Sequence, residues 1–271
     1  MEPMYEAYWA LALPPFDNVP DPRFFYPSAS HGECLARLSF ATERRKGAAL
    51  IVGSVGCGKT ILSRQFLSSC PAGSHDVAVL VNPNLTAVEF LQELLRQWGE
   101  EPRSSDKSSL LAQIRERIMK NFQRRVETLV VVDEAQAIRS EETLEEIRLL
   151  LNYQIDDRFL LTVLLLGQPE VAASVRALPQ LDQRIAVRGR LEALDHADTV
   201  KYVLTRLKQA GAVRCMFTPQ AVAQIYALSH GIPREINNLC DASLLQAYLD
   251  KAEAVDVQHV VRMTEELRWC A

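Results

Sequence analysis

None of the six cysteines pairs in a C-x-x-C spacing, and none stands at zinc-site spacing from the five histidines. That excludes a thioredoxin-type redox pair and a structural zinc module. It reads Cys34, Cys57, Cys70, Cys215, Cys240 and Cys270 as reduced thiols of a cytosolic protein. No basic segment opens the chain: Glu2 and Glu6 stand where a signal peptide would be positive, so none is expected. No apolar run is longer than Leu160 to Gly167. A membrane helix needs roughly 20 such residues, so any membrane association is expected to go through a partner. There is no basic excess either, with 30 Lys and Arg against 34 Asp and Glu and a net charge of -4. Nonspecific nucleic-acid binding is disfavoured, and DNA remains reachable only through a local basic patch. No internal repeat and no low-complexity segment appears, which excludes solenoids and disordered tracts. What remains is an ordinary soluble composition, 48% hydrophobic and 24% charged over 271 residues, enough for one large domain or two smaller ones.

The most informative stretch that is present is Gly53-Ser54-Val55-Gly56-Cys57-Gly58-Lys59-Thr60. It fits G-x-x-x-x-G-K-T, the phosphate-binding loop. Before it, Ala48 to Val52 is short, apolar and continuous, as a strand buried on both faces should be. After it, Ile61 to Leu67 has helical spacing, and strand, glycine loop and helix is the context this motif requires. The glycines let backbone N–H groups close around phosphates. The helix start aims its unpaired N–H groups at the same anion. Lys59 is expected on the β- and γ-phosphates of ATP, with Thr60 giving its hydroxyl to Mg²⁺ and Ile61 completing the nucleotide-binding run. Cys57 reads as packing filler; a lowered thiol pKa at a helix start, and oxidation blocking ATP, is the other reading.

A second stretch, Leu129-Val130-Val131-Val132-Asp133-Glu134, runs four apolar residues into two carboxylates. Adjacent acids at the end of a buried strand are costly unless a cation sits there. Asp133 is expected to hold Mg²⁺, directly or through water, and Glu134 to deprotonate the attacking water. The plainer reading is that the pair caps the following loop. Leu160 to Leu166 is another buried strand, ending in Gly167-Gln168-Pro169. Gln168 then faces the same crevice as Asp133, as a contact to the γ-phosphate or water, or as a structural turn residue.

The pattern predicts three parts. Residues 1–30 hold many prolines and aromatics, among them Tyr5, Trp9, Phe16 and Phe24. Prolines exclude a continuous helix and aromatics exclude a floppy tail. This predicts an ordered arm laid across the first domain, packing there or walling the adenine pocket. Residues 31–194 alternate strands and helices, which predicts a three-layer α/β domain on a parallel five-stranded sheet. Its last strand, Ile185 to Leu191, alternates as an edge strand does, with Arg188 and Arg190 on its other face. Thr86 and Glu89 form a predicted capping box. From Asp195 to residue 271 the pattern is helical only, with starts at Asp195, Thr218-Pro219, Pro233 and Asp256. The last helix is expected to bury Val260, Met263 and Leu267.

These motifs, taken in order, resemble the AAA+ ATPases of the ExeA/GspA type, a class tied to type II secretion and pilus biogenesis. The resemblance covers nearly the whole chain. It includes Pro-Pro-Phe (14–16), Pro-Asp-Pro-Arg-Phe (20–24), Val-Asn-Pro-Asn-Leu (81–85), Val-Asp-Glu-Ala-Gln (132–136), Leu-Gly-Gln-Pro-Glu (166–170), Asp-Gln-Arg-Ile (182–185) and Gly-Ile-Pro-Arg-Glu-Ile-Asn-Asn-Leu-Cys-Asp (231–241). It implies a P-loop core with a small helical lid and a homo-oligomer with inter-subunit active sites. It also implies a lid arginine at Arg234 that reaches a phosphate. Arg184 matches the position of an arginine finger, with Arg188 and Arg190 competing. The transmembrane helix and peptidoglycan-binding domain that commonly follow the ATPase have no counterpart in these 271 residues, so what carries over is the ATPase. Two roles follow: an ATP-driven, cytoplasmic assembly or remodelling factor acting on a secretion or pilus-type envelope machine, or a transposition regulator of the TniB/TnsC kind that assembles on DNA with ATP. A small-molecule phosphotransferase is a third, against which stand Glu134 and Arg234, both suited to water as acceptor.

Overall fold

A computed structural model describes residues 4–156 and 158–269, with the side chains of 264–269 outside that description. Glu2, Cys270 and the side chain of Leu267 thus lie outside the described residues. The chain forms two compact units. One holds Ala29–Val55 and Lys59–Leu191; the other holds the residues through Ser28, Gly56–Gly58, and those from Glu192 onward.

The first unit runs α1 (Ala29–Glu43), β1 (Ala48–Gly53), α2 (Lys59–Ser69), β2 (His75–Leu80), α3 (Ala87–Gln97), α4 (Lys107–Gln123) and β3 (Glu127–Val132). It continues with α5 (Glu141–Leu150), β4 (Gln154–Ile155), β5 (Arg158–Phe159), β6 (Leu161–Gly167), α6 (Pro169–Arg176), α7 (Pro179–Asp182) and β7 (Ile185–Leu191). Five strands make one parallel sheet in the order β2-β3-β6-β1-β7. The two-residue β4 and β5 pair antiparallel beside it.

The strand sequences account for their places. β6 is buried along its whole length and β3 at every residue but its first, so both are continuous apolar runs between two covered faces. β7 pairs only with β1 and alternates: Ile185, Val187 and Leu191 are buried, Ala186, Arg188 and Arg190 exposed. Phe90, Leu91, Leu94 and Leu95 of α3 are fully buried in the core of this unit, worth about 1.5–3 kcal/mol each. Their helix starts at the capping box, where Thr86 accepts from the Glu89 backbone and the Glu89 carboxylate accepts from the Thr86 backbone.

Because the sheet is parallel, β1, β3 and β6 end at the same edge. Val52 lies beside Gly167, and Val132 beside Leu165. The glycine loop, the acid pair and Gln168 each follow one of these three strand ends, where α/β sheets place their ligands.

The second unit contains α8 (His196–Gln209), α9 (Pro219–Ser229), α10 (Pro233–Leu249) and α11 (Val257–Trp269). Asp195 and Thr218 cap α8 and α9 by accepting from Asp198 and Ala221 backbone N–H groups. The amino-terminal arm corrects the expectation from sequence. Tyr5, Trp9, Leu11, Phe16 and Phe24 belong to the core of this helical unit, with Val203, Ile225, Ile236 and Leu244. A few short helices bury too little apolar surface alone, and the arm's large rings supply the rest. Its polar groups are matched there as well. Trp9 Nε1 donates to the Leu244 carbonyl at 3.2 Å. Tyr26 donates to Asp198 at 2.8 Å. Arg206, only 4% exposed, donates to the carbonyls of Pro15 and Asp17 and lies 4.8 Å from the Phe24 ring centroid. A buried guanidinium is thereby satisfied by carbonyls and an aromatic face.

Candidate functional site

β1 stops at Gly53 and α2 starts at Lys59, so five residues make the loop between them. Gly56 and Gly58 have φ of +77° and +94°, a region other residues enter only with strain. Ser54 and Val55 are exposed, Ile61 is half-buried, and Cys57 is buried, which fits its packing reading. Lys59 is 5% exposed. Its ammonium donates to the carbonyls of Gly53 at 2.9 Å and Ser54 at 3.0 Å. The one cation of the loop is thus folded back over it, at the start of α2, the end of a helix that favours anions.

Thr60, the next residue, donates its hydroxyl to Asp133 Oδ2 at 2.6 Å. Asp133 is 2% exposed. Its other carboxylate oxygen accepts from the Glu134 backbone N–H at 2.9 Å. Both donors are neutral, and among the described residues no Lys, Arg or His forms an ion pair with it. Glu134 has φ 52° and ψ 39°, and its side chain makes no cap bond to the 3-10 turn Ala135–Ala137 that follows. The carboxylate is therefore not used up in capping. A non-glycine residue held there costs on the order of 1–3 kcal/mol, a strain typical of functional positions.

Gln136 is the residue that sequence reasoning missed. It was visible only as the last letter of Val-Asp-Glu-Ala-Gln, with no chemistry of its own. Its Nε2 donates to Glu134 Oε2, and its Oε1 accepts from the Gln168 backbone N–H at 2.9 Å. Gln168 thus enters the site through its main chain; as the residue before α6 its side chain makes no cap bond.

The arginines separate clearly. Arg184 donates to the Leu151 carbonyl at 2.8 Å and to Asn152 Oδ1 at 2.6 Å. Arg188 pairs with Asp182 at 2.7 Å. Arg190 is exposed and makes no hydrogen bond or ion pair among the described residues. In the helical unit, Arg234 is exposed at the second position of α10, and its guanidinium has no partner among the described residues. Its backbone N–H donates to the Gly56 carbonyl at 3.3 Å. The polar residues that share its face are otherwise engaged. Asn238 accepts from Asn18 at 2.7 Å, Asn237 accepts from Tyr202 at 2.8 Å, and Asp241 accepts from the Tyr5 hydroxyl. Burial, then the nearby Glu6 and Asp17, push the Asp241 carboxyl above its ordinary value, against the Tyr5 bond that lowers it. Burial and Asp241 push the Tyr5 phenol up in turn.

Residues 42–174 match the family described as AAA domain. Over 249 residues the chain is 39% identical to general secretion pathway protein A of Aeromonas hydrophila. Residues 42–174 thus carry an AAA domain, and the chain is similar to general secretion pathway protein A. The match takes in 90% of this chain and 45% of that relative, so the chain spans less than half of the relative's length. Solved AAA-type structures share the fold. The Aeropyrum pernix ORC2 protein matches with a TM-score of 0.71 at 19% identity, covering 93% of this chain and 71% of that one. Cdc6p from Pyrobaculum aerophilum matches with a TM-score of 0.68 at 15% identity, covering 87% and 68%. A Thermotoga maritima RuvB variant gives 0.60 at 17% identity, covering 87% and 69%.

The AAA family implies a divalent cation with the nucleotide, and the residues present fit one. Mg²⁺ favours hard oxygens, taking one or two carboxylates with the rest from phosphate and water. Thr60 and Asp133 supply a hydroxyl and a carboxylate already in contact, and the carboxylate is buried without a cationic partner. Among the described residues no cluster of three His, Cys, Asp or Glu side chains could hold a metal, so no all-protein cage competes. Among the described residues, too, no helix of this AAA chain is long and apolar enough to cross a membrane.

Proposed function

We propose that this protein binds ATP with Mg²⁺ at the loop after β1 and hydrolyses it to ADP and phosphate. In this reading it works as a nucleotide-driven assembly or remodelling factor of a secretion- or pilus-type envelope machine. The observation that carries the reading is the contact of Thr60 with the buried Asp133, next to a glycine loop whose lysine is bent back over it.

The roles follow from the residues. Loop N–H groups and the α2 start hold the phosphates. Lys59 exchanges the carbonyls of Gly53 and Ser54 for phosphate oxygens. Thr60 and Asp133 would hold the cation, which supplies charge neutralisation at the phosphates when bound. Glu134 orients a water molecule and takes its proton as the water oxygen attacks the γ-phosphorus and the bond to the β-phosphate oxygen breaks. Arg234, with its free guanidinium, is the lid residue assigned to the phosphates. Among the three arginines near β7, a residue that acts on a neighbouring subunit must be available to it. Arg190 meets that requirement, whereas Arg184, the favourite from the resemblance, is bonded within its own unit.

The envelope role rests on the relative's name. The test of the chemistry is Glu134→Gln. ATP affinity by calorimetry should be kept, and phosphate release should fall by roughly 10²–10⁴-fold, the usual share of a general base. A chain with no affinity for Mg·ATP would sink the reading. Mass measurements with and without ATP test nucleotide-driven assembly. Retention on DNA that falls steeply with salt would replace the envelope role with the transposition one.

A further inference from the structure

We propose that Gln136 is a positioning residue: it holds the Glu134 carboxylate and ties it to the end of β6. The proposal rests on the reading of Glu134 as the base.

The geometry leaves the amide one orientation. The Gln168 backbone N–H can only donate, so it selects Oε1 of Gln136 at 2.9 Å. The amide nitrogen must then face the other way, where it donates to Glu134 Oε2. One end of the side chain is fixed by main chain and the other grips the carboxylate. Room for this is made by a glycine. A Cβ on Gly167 would lie 2.9 Å from Gln136 Oε1 and 3.0 Å from Val171 Cγ1, closer than such contacts stand. The last residue of β6 therefore carries no side chain where the amide sits.

The arrangement suits a base. Glu134 itself has a left-handed conformation and its side chain caps nothing, which leaves its carboxylate to the bond from Gln136. A neutral amide donor restrains the carboxylate without setting a full positive charge against it, as Lys or Arg would. Because the far end of the amide is held by Gln168, a shift at the β6–α6 junction is passed to Glu134. The residue read from sequence as a possible γ-phosphate contact becomes the anchor of the base's holder.

The test compares Gln136→Leu and Gln136→Glu with the wild-type chain, with and without Glu134→Gln. Gln136→Leu removes both bonds at similar volume. We expect kcat to fall about 10- to 100-fold, as for a misplaced catalytic group, with Kd for ATP changed less than about 2-fold. In the Glu134→Gln background, single-turnover hydrolysis should show no further loss, because the two residues act as one unit. Gln136→Glu keeps an acceptor for Gln168 and sets a second carboxylate against Glu134. Its kcat should fall at least as far as that of Gln136→Leu, with Kd for ATP again changed less than about 2-fold, because the amide donor to Glu134 is replaced by an acceptor. A Leu variant that keeps kcat within about 2-fold, or that loses as much activity without Glu134 as with it, overturns the proposal. So does a Gln136→Glu variant that keeps kcat within about 2-fold, which decides the matter if the Leu variant does not fold. Turnover that survives Glu134→Gln overturns the assignment of the base and this proposal with it. Loss in Glu134→Gln with no effect at Gln136 sinks this proposal alone.

Discussion

The hydroxyl of Thr60 lies 2.6 Å from Oδ2 of Asp133, joining the start of α2 to the end of β3 across the carboxyl edge of the sheet. The carboxylate is 2% exposed and has only neutral donors. A buried charge so placed costs stability unless a cation joins it. Asp133→Asn should therefore leave the nucleotide-free protein as stable or more so, since the amide oxygen still accepts and the Thr60 hydroxyl can accept in its turn. A gain of about 1 kcal/mol would raise Tm by about 2–4 °C in a chain this long. The same variant should lose the Mg²⁺ dependence of ATP affinity. Melting curves with and without Mg·ATP check both halves. A large fall in the apo Tm would mean the carboxylate serves the fold.

Arg184 and Arg190 should part on two measurements. Removing Arg184 strips a donor from the Leu151 carbonyl and the Asn152 side chain, a loss of about 1 kcal/mol for a half-buried group. Arg190→Ala touches no internal partner and should stay within about 0.5 kcal/mol of the parent. In turnover the order reverses: Arg190→Ala should lose 10³-fold or more if it stabilises the transition state of a neighbour. Mixing Arg190→Ala with Glu134→Gln should restore activity, because one interface of the mixed oligomer then has both groups. Restoration with Arg184→Ala in its place would return the role to that residue.

The sheet and its ligand edge were legible because their signals are local. Ala48 to Val52 and Leu129 to Val132 are apolar without a break, and the glycines and acids follow them directly. The capping box at Thr86 and Glu89 and the breaks at Asp195 and Thr218 are also local, each resting on residues three apart. What could not be read depends on neighbours distant in sequence. Trp9 and Phe16 announce packing but not the surface they pack on, and the helical unit claims them. Gln136 has meaning only once β3 and β6 lie side by side in their observed register. Arg184, Arg188 and Arg190 look alike in sequence; only the carbonyl of Leu151 and the carboxylate of Asp182 tell them apart.

Among the described glycines, Gly231 leaves the least room for a side chain. Its φ is +74°, and a Cβ there would fall 1.8 Å from the Leu194 carbonyl oxygen. The same backbone contact is bonded, with the Leu194 N–H donating to the Gly231 carbonyl at 2.8 Å. Gly231→Ala must push the two strands of chain apart and break that bond. We expect a loss above about 4 kcal/mol, the range reserved for strained or overpacked sites, seen as a Tm lower by 10 °C or more or as insoluble protein. A variant that melts like the parent would show that this junction is not held as described.

Asp241 sets a pH dependence whose sign can be worked out. Its carboxyl is held above the ordinary value of 3.8, by burial first and by Glu6 and Asp17 next, against the Tyr5 hydrogen bond. A raised folded pKa means the fold prefers the protonated acid. Its contribution is fully present below pH 3.8 and is lost as pH rises through the folded value. Asp241→Asn stays neutral throughout and keeps an oxygen to accept from Tyr5. Relative to the parent it should gain stability as pH rises from about 4 towards neutral, and the two should converge at the acid end. Thermal melts of both proteins from pH 4 to 8, compared as differences, cancel the titration of the other carboxylates. If Asp241→Asn is the less stable protein at pH 7, the charged form is being favoured after all, by the Tyr5 bond outweighing burial.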